Sequence, residues 1–201
     1  MKEGRQMPGS ILIAEGKTKI LTQYQRLETQ VVIGNKHVVT WDDRYQEPMA
    51  GKGGWCTATT ANVFTFLADR HVPVAFEGEL SETEFLAPRC EMIPVEVVIR
   101  LGVEEKSSLR KRNPDVPVGP LAEPLVELFL KTSDKVFEGI ELSTDDPYIH
   151  EYDANGMRVH PPKQPIGETL GTHIPYTPAF GPTPVETLEQ MKVIGRRVGL
   201  L

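Results

Sequence analysis

With 201 residues and a formal net charge of −6, the chain is long enough for one domain or one and a half and too acidic for nucleic acid to be its main partner. Its 39% hydrophobic and 25% charged residues are the balance of an ordinary soluble protein, and no apolar run approaches the ~20 residues that cross a bilayer. The opening MKEGRQMPGS has no apolar h-region, and the two cysteines, Cys56 and Cys90, lack CxxC spacing, so the expectation is a reducing cytoplasm, without a disulfide framework or zinc.

Ile11–Ile13, Ile20–Thr22, Gln30–Ile33 and His37–Trp41 read as strands, with a hairpin turn at Gly34-Asn35. The first two flank Glu15-Gly16-Lys17-Thr18-Lys19, a tight turn in which Gly16 supplies the permissive backbone. Lys17 and Lys19 lie two apart and project to one face if the segment is extended. GKTK is not a Walker A loop, because the upstream glycine is absent and no helix follows. A kinase-like hairpin covering nucleotide phosphates from above is the better physical match, although many surface hairpins carry two lysines.

The segment GKGGWCTATTANVFTFLADRHVP predicts a helix from about Trp55 to Arg70, stopped by Pro73. Val74–Phe76, Glu84–Leu86 and Ile93–Ile99 read as further strands. The first half is therefore expected to be an antiparallel sheet with one packed helix, an α+β nucleotide-binding lobe over residues 1–100. Trp41 and Trp55 are expected in the core.

The strand at Ile93–Ile99 carries Glu96 and leads into Arg100, then into Ser107, Ser108, Arg110, Lys111 and Arg112. Charges inside a buried strand suit a cleft, and hydroxyls beside cations suit a phosphate monoester, which takes both charge and several short donors. An edge strand followed by a solvated basic turn would carry the same residues. Downstream, Leu125–Lys131 (LVELFLK) is a compact apolar segment, Tyr148 to Pro184 is rich in proline and glycine and reads as a long loop or flap, and Pro184 to Leu200 reads as a helix. Residues 101–201 are expected to form a reduced C-terminal, substrate-binding lobe with the proline- and glycine-rich loop at 148–184. His71, His150, His160 and His173 are scattered and read as surface residues.

Taken together, EGKTK, GKGG before a helix, ETEFLAPRCEMIPVEVVIR, SSLRKRNP and VELFLK with a downstream DDP resemble the SAICAR synthetase family, in the family's own order and over roughly residues 10 to 150. The resemblance implies an α+β fold with an antiparallel N-terminal lobe and an ATP-dependent ligase of purine biosynthesis. In that reaction ATP phosphorylates the carboxylate of an aminoimidazole ribotide, and the amino group of aspartate displaces phosphate to form an amide. By position, Lys17 and Lys19 would contact the ATP phosphates, and the main chain around Glu91 and Met92 would meet adenine. Arg100, Ser107, Ser108 and Arg112 would hold the ribotide phosphate. Glu96 would line the cleft, either in a salt bridge with Arg100 or through a Mg²⁺-linked water. Lys131, Asp134 and Asp146 would handle the amino acid or metal, with Glu96, Lys131 and Asp146 as the catalytic candidates and ATP and Mg²⁺ as cofactors. A solvated strand end at Lys131 and a helix-starting cap at Asp146 would show the same residues.

Three departures stand out. Trp41-Asp42-Asp43-Arg44 keeps the family's acid after the fourth strand but loses the small residues that come after it. Lys106-Ser107 replaces Gly-Ser in the phosphate turn, beside Glu104 and Glu105, which work against an anion. The sequence ends at Leu201, before the family's VDFKLEFG-like and DE…PD segments, whose carboxylates serve Mg²⁺ and ATP. The resemblance therefore implies a short ligase, a non-catalytic nucleotide- or ribotide-binding protein, or one half of a split ligase. A homo-oligomer or a C-terminal partner subunit would complete the last of these; neither nucleic acid nor a membrane is an expected partner.

Overall fold

The computed structural model describes residues 10–24, 28–41, 45–167, 171–180 and 184–201. Its contacts divide the chain into two units, Met1–Glu91 and Met92–Leu201.

In the first unit, β1 (Ser10–Glu15), β2 (Lys19–Tyr24), β3 (Gln30–Asn35), β6 (Gly78–Ser81) and β7 (Glu84–Pro88) form an antiparallel sheet of order β1-β2-β3-β7-β6. A ribbon of β4 (Val38–Trp41) and β5 (Tyr45–Pro48) leads to α1 (Lys52–Ala68). Strand β7 alternates, burying Phe85 and Ala87, which pack with Val31, Ile33 and Phe76. The face that α1 buries is made of small residues, Gly53, Gly54, Thr57 and Ala61, at helical spacing. A Cβ at Gly53 would stand 2.6 Å from the Asn35 carbonyl oxygen, and one at Gly54 2.9 Å from Glu82 Oε1. GKGG is thus where the helix closes onto the end of β3 and the turn between β6 and β7.

The structure corrects several expectations. Trp41 and Trp55 are 44% and 60% exposed; Trp55 lies outside because α1 packs through its glycines rather than its large apolar side chains. Trp41 stacks on Tyr45 at 5.4 Å. Residues 74–76 form no strand; Phe76 is instead wedged between Phe64 and Phe85, with ring centroids 6.1 and 5.7 Å away.

The second unit is built on a sheet of order β14-β13-β12-β9-β8, comprising β8 (Val95–Val103), β9 (Gly119–Leu130), β12 (Tyr148–Asp153), β13 (Gly156–His160) and β14 (Thr172–Pro175). A one-turn helix α2 (Ser108–Arg112) joins β8 to β9, and a small ribbon of β10 (Val136–Phe137) and β11 (Ile140–Glu141) joins β9 to β12. Helix α3 (Pro184–Gly199) packs on β8 and β9. The core gathers Leu128, Leu130, Ile149, Met157, Ile174 and Leu188. The chain divides after Glu91 rather than at residue 100, because the hydrogen-bonding partner of β8 is β9. No described helix is long and apolar enough to cross a membrane.

The segment 148–184, expected as a loop, holds three of the five strands. Its prolines lie after residue 160, whereas YIHEYDANGMRVH is a hairpin turning at Ala154-Asn155, with Asp153 paired to Gly156. Asn-Gly before an apolar run is a hairpin signal, and pooling the composition over the whole stretch hid it. His160, expected at the surface, is only 5% exposed.

The burial of α3 sets a test. Leu188 is fully buried and Val193 is 53% exposed. Leu188→Ala should cost about 2–5 kcal/mol of unfolding free energy and Val193→Ala no more than about 0.5 kcal/mol, as read by denaturant titration.

Candidate functional site

The ladder between β8 and β9 arranges the charged side chains of the second unit. Its register sets Glu96 opposite Phe129, Val98 opposite Glu127 and Arg100 opposite Leu125. With side chains alternating, Glu96, Arg100, Glu127 and, just past the strand end, Lys131 share one face. Two clusters result.

In the first, Lys131 Nζ donates to Asp146 Oδ2 at 2.5 Å and lies 3.5 Å from Glu96 Oε2. Asp146 is held in return: its Oδ1 accepts from the Thr132 amide at 3.0 Å, and its own amide donates to Thr132 Oγ1 at 2.9 Å. Thr132 Oγ1 also donates to Asp145 Oδ1 at 3.2 Å, which accepts from the Lys135 amide at 2.5 Å. The hydrogen bond to Asp146, with the charges of Asp146 and Glu96, holds the Lys131 ammonium above the usual lysine pKa against a smaller opposing effect of burial. Lys131 is therefore a fixed cation at neutral pH rather than a base. All three side chains are about half exposed, where an ion pair adds little to stability. Asp145 and Asp146 also line a cavity of about 410 Å³ with Ser143, Pro162, Lys163 and Gln164. Asp134 stands exposed on the turn after β9, at a φ of 52°, and is not part of the cluster.

In the second cluster, Glu127, 3% exposed, accepts from Arg100 Nε on one carboxylate oxygen and from Arg112 Nη2 on the other. Arg112 Nη1 donates to the Pro162 carbonyl at 2.8 Å, and its guanidinium lies 4.4 Å over the Tyr148 ring. Arg100 Nη2 donates to Ser108 Oγ at 2.9 Å, while Ser107 caps α2 by accepting from the Arg110 amide. The pair Glu96–Arg100, one alternative drawn from the sequence, is replaced by Glu127–Arg100 and Glu96–Lys131. Glu127 was missed. The signal was present, since a carboxylate inside LVELFLK is as anomalous as Glu96 and Arg100 in their own strand.

In the first unit, Lys17 sits on a bend and Lys19 opens β2. The turn is braced by Lys36, whose Nζ reaches Glu15 Oε1 at 2.5 Å and the Gly16 carbonyl at 2.8 Å. Lys19 lines a cavity of about 450 Å³ with Thr18, Asn35, Lys52, Trp55 and Cys56, and of these only Lys19 was expected from the sequence as a binding residue. Glu91 and Met92 are exposed on the segment between β7 and β8. Asp42 and Asp43 lie outside the described residues.

Among the described residues no three His, Cys, Asp or Glu side chains gather as a metal site. Glu96 and Asp146 already share an ammonium. The described residues do not fit a resident Mg²⁺.

The sequence model of the family described as SAICAR synthetase matches residues 12–155. The phosphoribosylaminoimidazole-succinocarboxamide synthase of Roseiflexus sp. (strain RS-1) is 39% identical over 121 residues, 59% of this chain and 48% of that protein. The Homo sapiens bifunctional phosphoribosylaminoimidazole carboxylase/phosphoribosylaminoimidazole succinocarboxamide synthetase is 34% identical over 119 residues, 58% of this chain and 28% of that protein. The chain spans about half, or less, of the length of these curated relatives. Among solved structures, a SAICAR synthetase in complex with ADP matches with a TM-score of 0.59 at 24% identity, over 92% of this chain and 64% of that one. The Saccharomyces cerevisiae SAICAR-synthase complexed with SAICAR gives 0.55 at 13% identity, over 98% and 63%. These likenesses show the fold.

The buried polar groups give two tests. Glu127→Leu leaves two arginines without their shared carboxylate and should destabilise the protein by about 3–5 kcal/mol, measured by denaturant titration. Burial first, then His150 and Arg158, hold the His160 imidazole below its usual pKa. The unfolded chain therefore binds that proton at higher pH than the folded one. Stability from this group is complete above about pH 6.5 and is lost as the pH falls below it. The melting temperature should drop between pH 7 and 5, and less so in His160→Gln.

Proposed function

The chain belongs to the SAICAR synthetase family, and we propose that it forms an amide between an aminoimidazole carboxylate ribotide and aspartate at the expense of ATP. The observation that carries this reading is the convergence of Glu96, Lys131 and Asp146, with Asp146 in the wall of a cavity in the second unit. An exposed ammonium fixed between two carboxylates has little stabilising value, but it suits a zwitterion: Lys131 for a carboxylate of the incoming amino acid, Asp146 and Glu96 for its ammonium.

In the proposed reaction the ribotide carboxylate attacks the γ-phosphorus of ATP, forming an acyl phosphate and releasing ADP. The ammonium of aspartate gives a proton to solvent, the free amine attacks the acyl carbon, the C–O bond to phosphate breaks, and the nitrogen sheds its second proton to the departing inorganic phosphate as the amide forms. The chain's own residues bind and orient. Lys17 and Lys19 take the nucleotide phosphates, the main chain at Glu91 and Met92 takes adenine, and Arg100 with Ser107, Ser108 and Arg112 serves the ribotide phosphate. A fixed cation beside an anionic substrate offsets its charge and lowers the repulsion it presents to a second anion.

A second reading, binding without turnover, is favoured by one observation: the acids near Lys131 are engaged with one another's partners and none is grouped for a metal. A C-terminal partner subunit or a second copy supplying acids would reconcile the two readings. The discriminating experiment incubates the protein with ATP, Mg²⁺, the aminoimidazole carboxylate ribotide and aspartate, and follows ADP and the amide by mass spectrometry. Amide should form, and Lys131→Met should slow it by about a hundredfold or more. Nucleotide-induced thermal stabilisation without ADP release would establish the binding-only reading.

A further inference from the structure

The two arginines around Glu127 are not equivalent. Arg112 has a side chain 1% exposed, against 18% for Arg100. Its guanidinium is enclosed: one nitrogen meets Glu127, another the Pro162 carbonyl, and its faces meet the rings of Tyr148 at 4.4 Å and Phe129 at 5.3 Å. No part of it is presented to a ligand. Arg100 keeps partial access, and the hydroxyl it touches, Ser108 Oγ, lies at the half-buried start of α2.

We propose that Arg112 is a positioning residue for a phosphate-monoester site whose direct contacts are Arg100 and Ser108. The inference rests on the reading of this region as the ribotide-phosphate seat, and it changes that reading by removing from the direct contacts both Arg112 and Ser107, whose hydroxyl is engaged in capping α2. Arg112, immobilised by stacking and by the Pro162 carbonyl, holds one oxygen of Glu127. The other oxygen of Glu127 holds Arg100 at Nε, which fixes the plane of the fork and leaves the Nη edge beside Ser108 for the ligand. A planar guanidinium discriminates between anions only if its plane is set beforehand. Glu127 also offsets one of the two positive charges, so the second arginine can be buried without an unpaired cation.

The probe is ribose 5-phosphate, with ribose as the control lacking the anion, titrated calorimetrically into the whole protein. Arg100→Gln should weaken ribose 5-phosphate binding about tenfold or more, and Arg112→Gln should weaken it as well. The double variant should bind no worse than Arg100→Gln alone, because Arg112 acts only through Arg100. Losses that multiply would make Arg112 a direct contact and overturn the inference while leaving the phosphate seat in place. So would unchanged binding in a folded Arg112→Gln. If instead Arg100→Gln binds as the wild type does, the phosphate reading itself fails. Arg112→Lys replaces Arg112→Gln in the cycle should the latter not fold. Independently of any variant, ¹⁵N-labelled arginine in the wild-type protein should show the Arg100 Nε–H signal moving on titration more than that of Arg112. The reverse order would overturn the inference.

Discussion

A single carboxylate, buried between two guanidinium groups, organises the second unit. Taking Glu127 out of water costs several kcal/mol unless each oxygen finds a cation or donor, and here one oxygen meets Arg100 and the other Arg112. The demand ties β8 to β9, because Arg100 lies diagonally across from Glu127 in their ladder. It ties α2 to the sheet, because Arg112 ends that helix. It also draws in the Tyr148 ring of β12 and the Pro162 carbonyl, and Pro162 is part of the wall of the cavity beside Asp146. The position of that wall and the orientation of Arg100 therefore depend on one buried charge.

The exposed cluster around Lys131 contrasts with it. Both are built from the same face of the same two strands, yet one is closed over by aromatic rings and the other opens to water. Closure turns ionic groups into structure, since a buried charge must be matched on every side. Openness leaves them able to exchange their partners for a ligand's. Thr132, through its amide and hydroxyl, keeps Asp146 pointed at Lys131 without enclosing either.

Much of the architecture was legible. The strands β1 to β4, β7 and β8 and the helices α1 and α3 follow from period and punctuation, and the family resemblance from the residues between Phe85 and Glu96. The misses have physical causes. Trp55 and the large apolar residues of α1 suggested a buried stripe, but Gly53 and Gly54 allow the helix to approach so closely that only small side chains fit beneath it. The hairpin of β12 and β13 vanished into the proline-rich composition of the segment downstream of His160. His160 was assigned to the surface because no local pattern marks a histidine buried beside another, whereas in the fold its ring meets that of His150 at 5.3 Å.

From the sequence alone came the family, the α+β class and the residue types that phosphate and amino-acid chemistry require, because these depend on identity, spacing and alternation along the chain. Which charges remain available was decided only in three dimensions. Arg100 and Arg112 look alike in SSLRKRNP and its preceding strand, and Glu127 looks like a blemish in an apolar run. Strand register sets Glu127 within reach of both arginines, and burial then separates the cation held inside from the one that can still meet solvent. Neither register nor burial is written locally, since each depends on a partner many residues away.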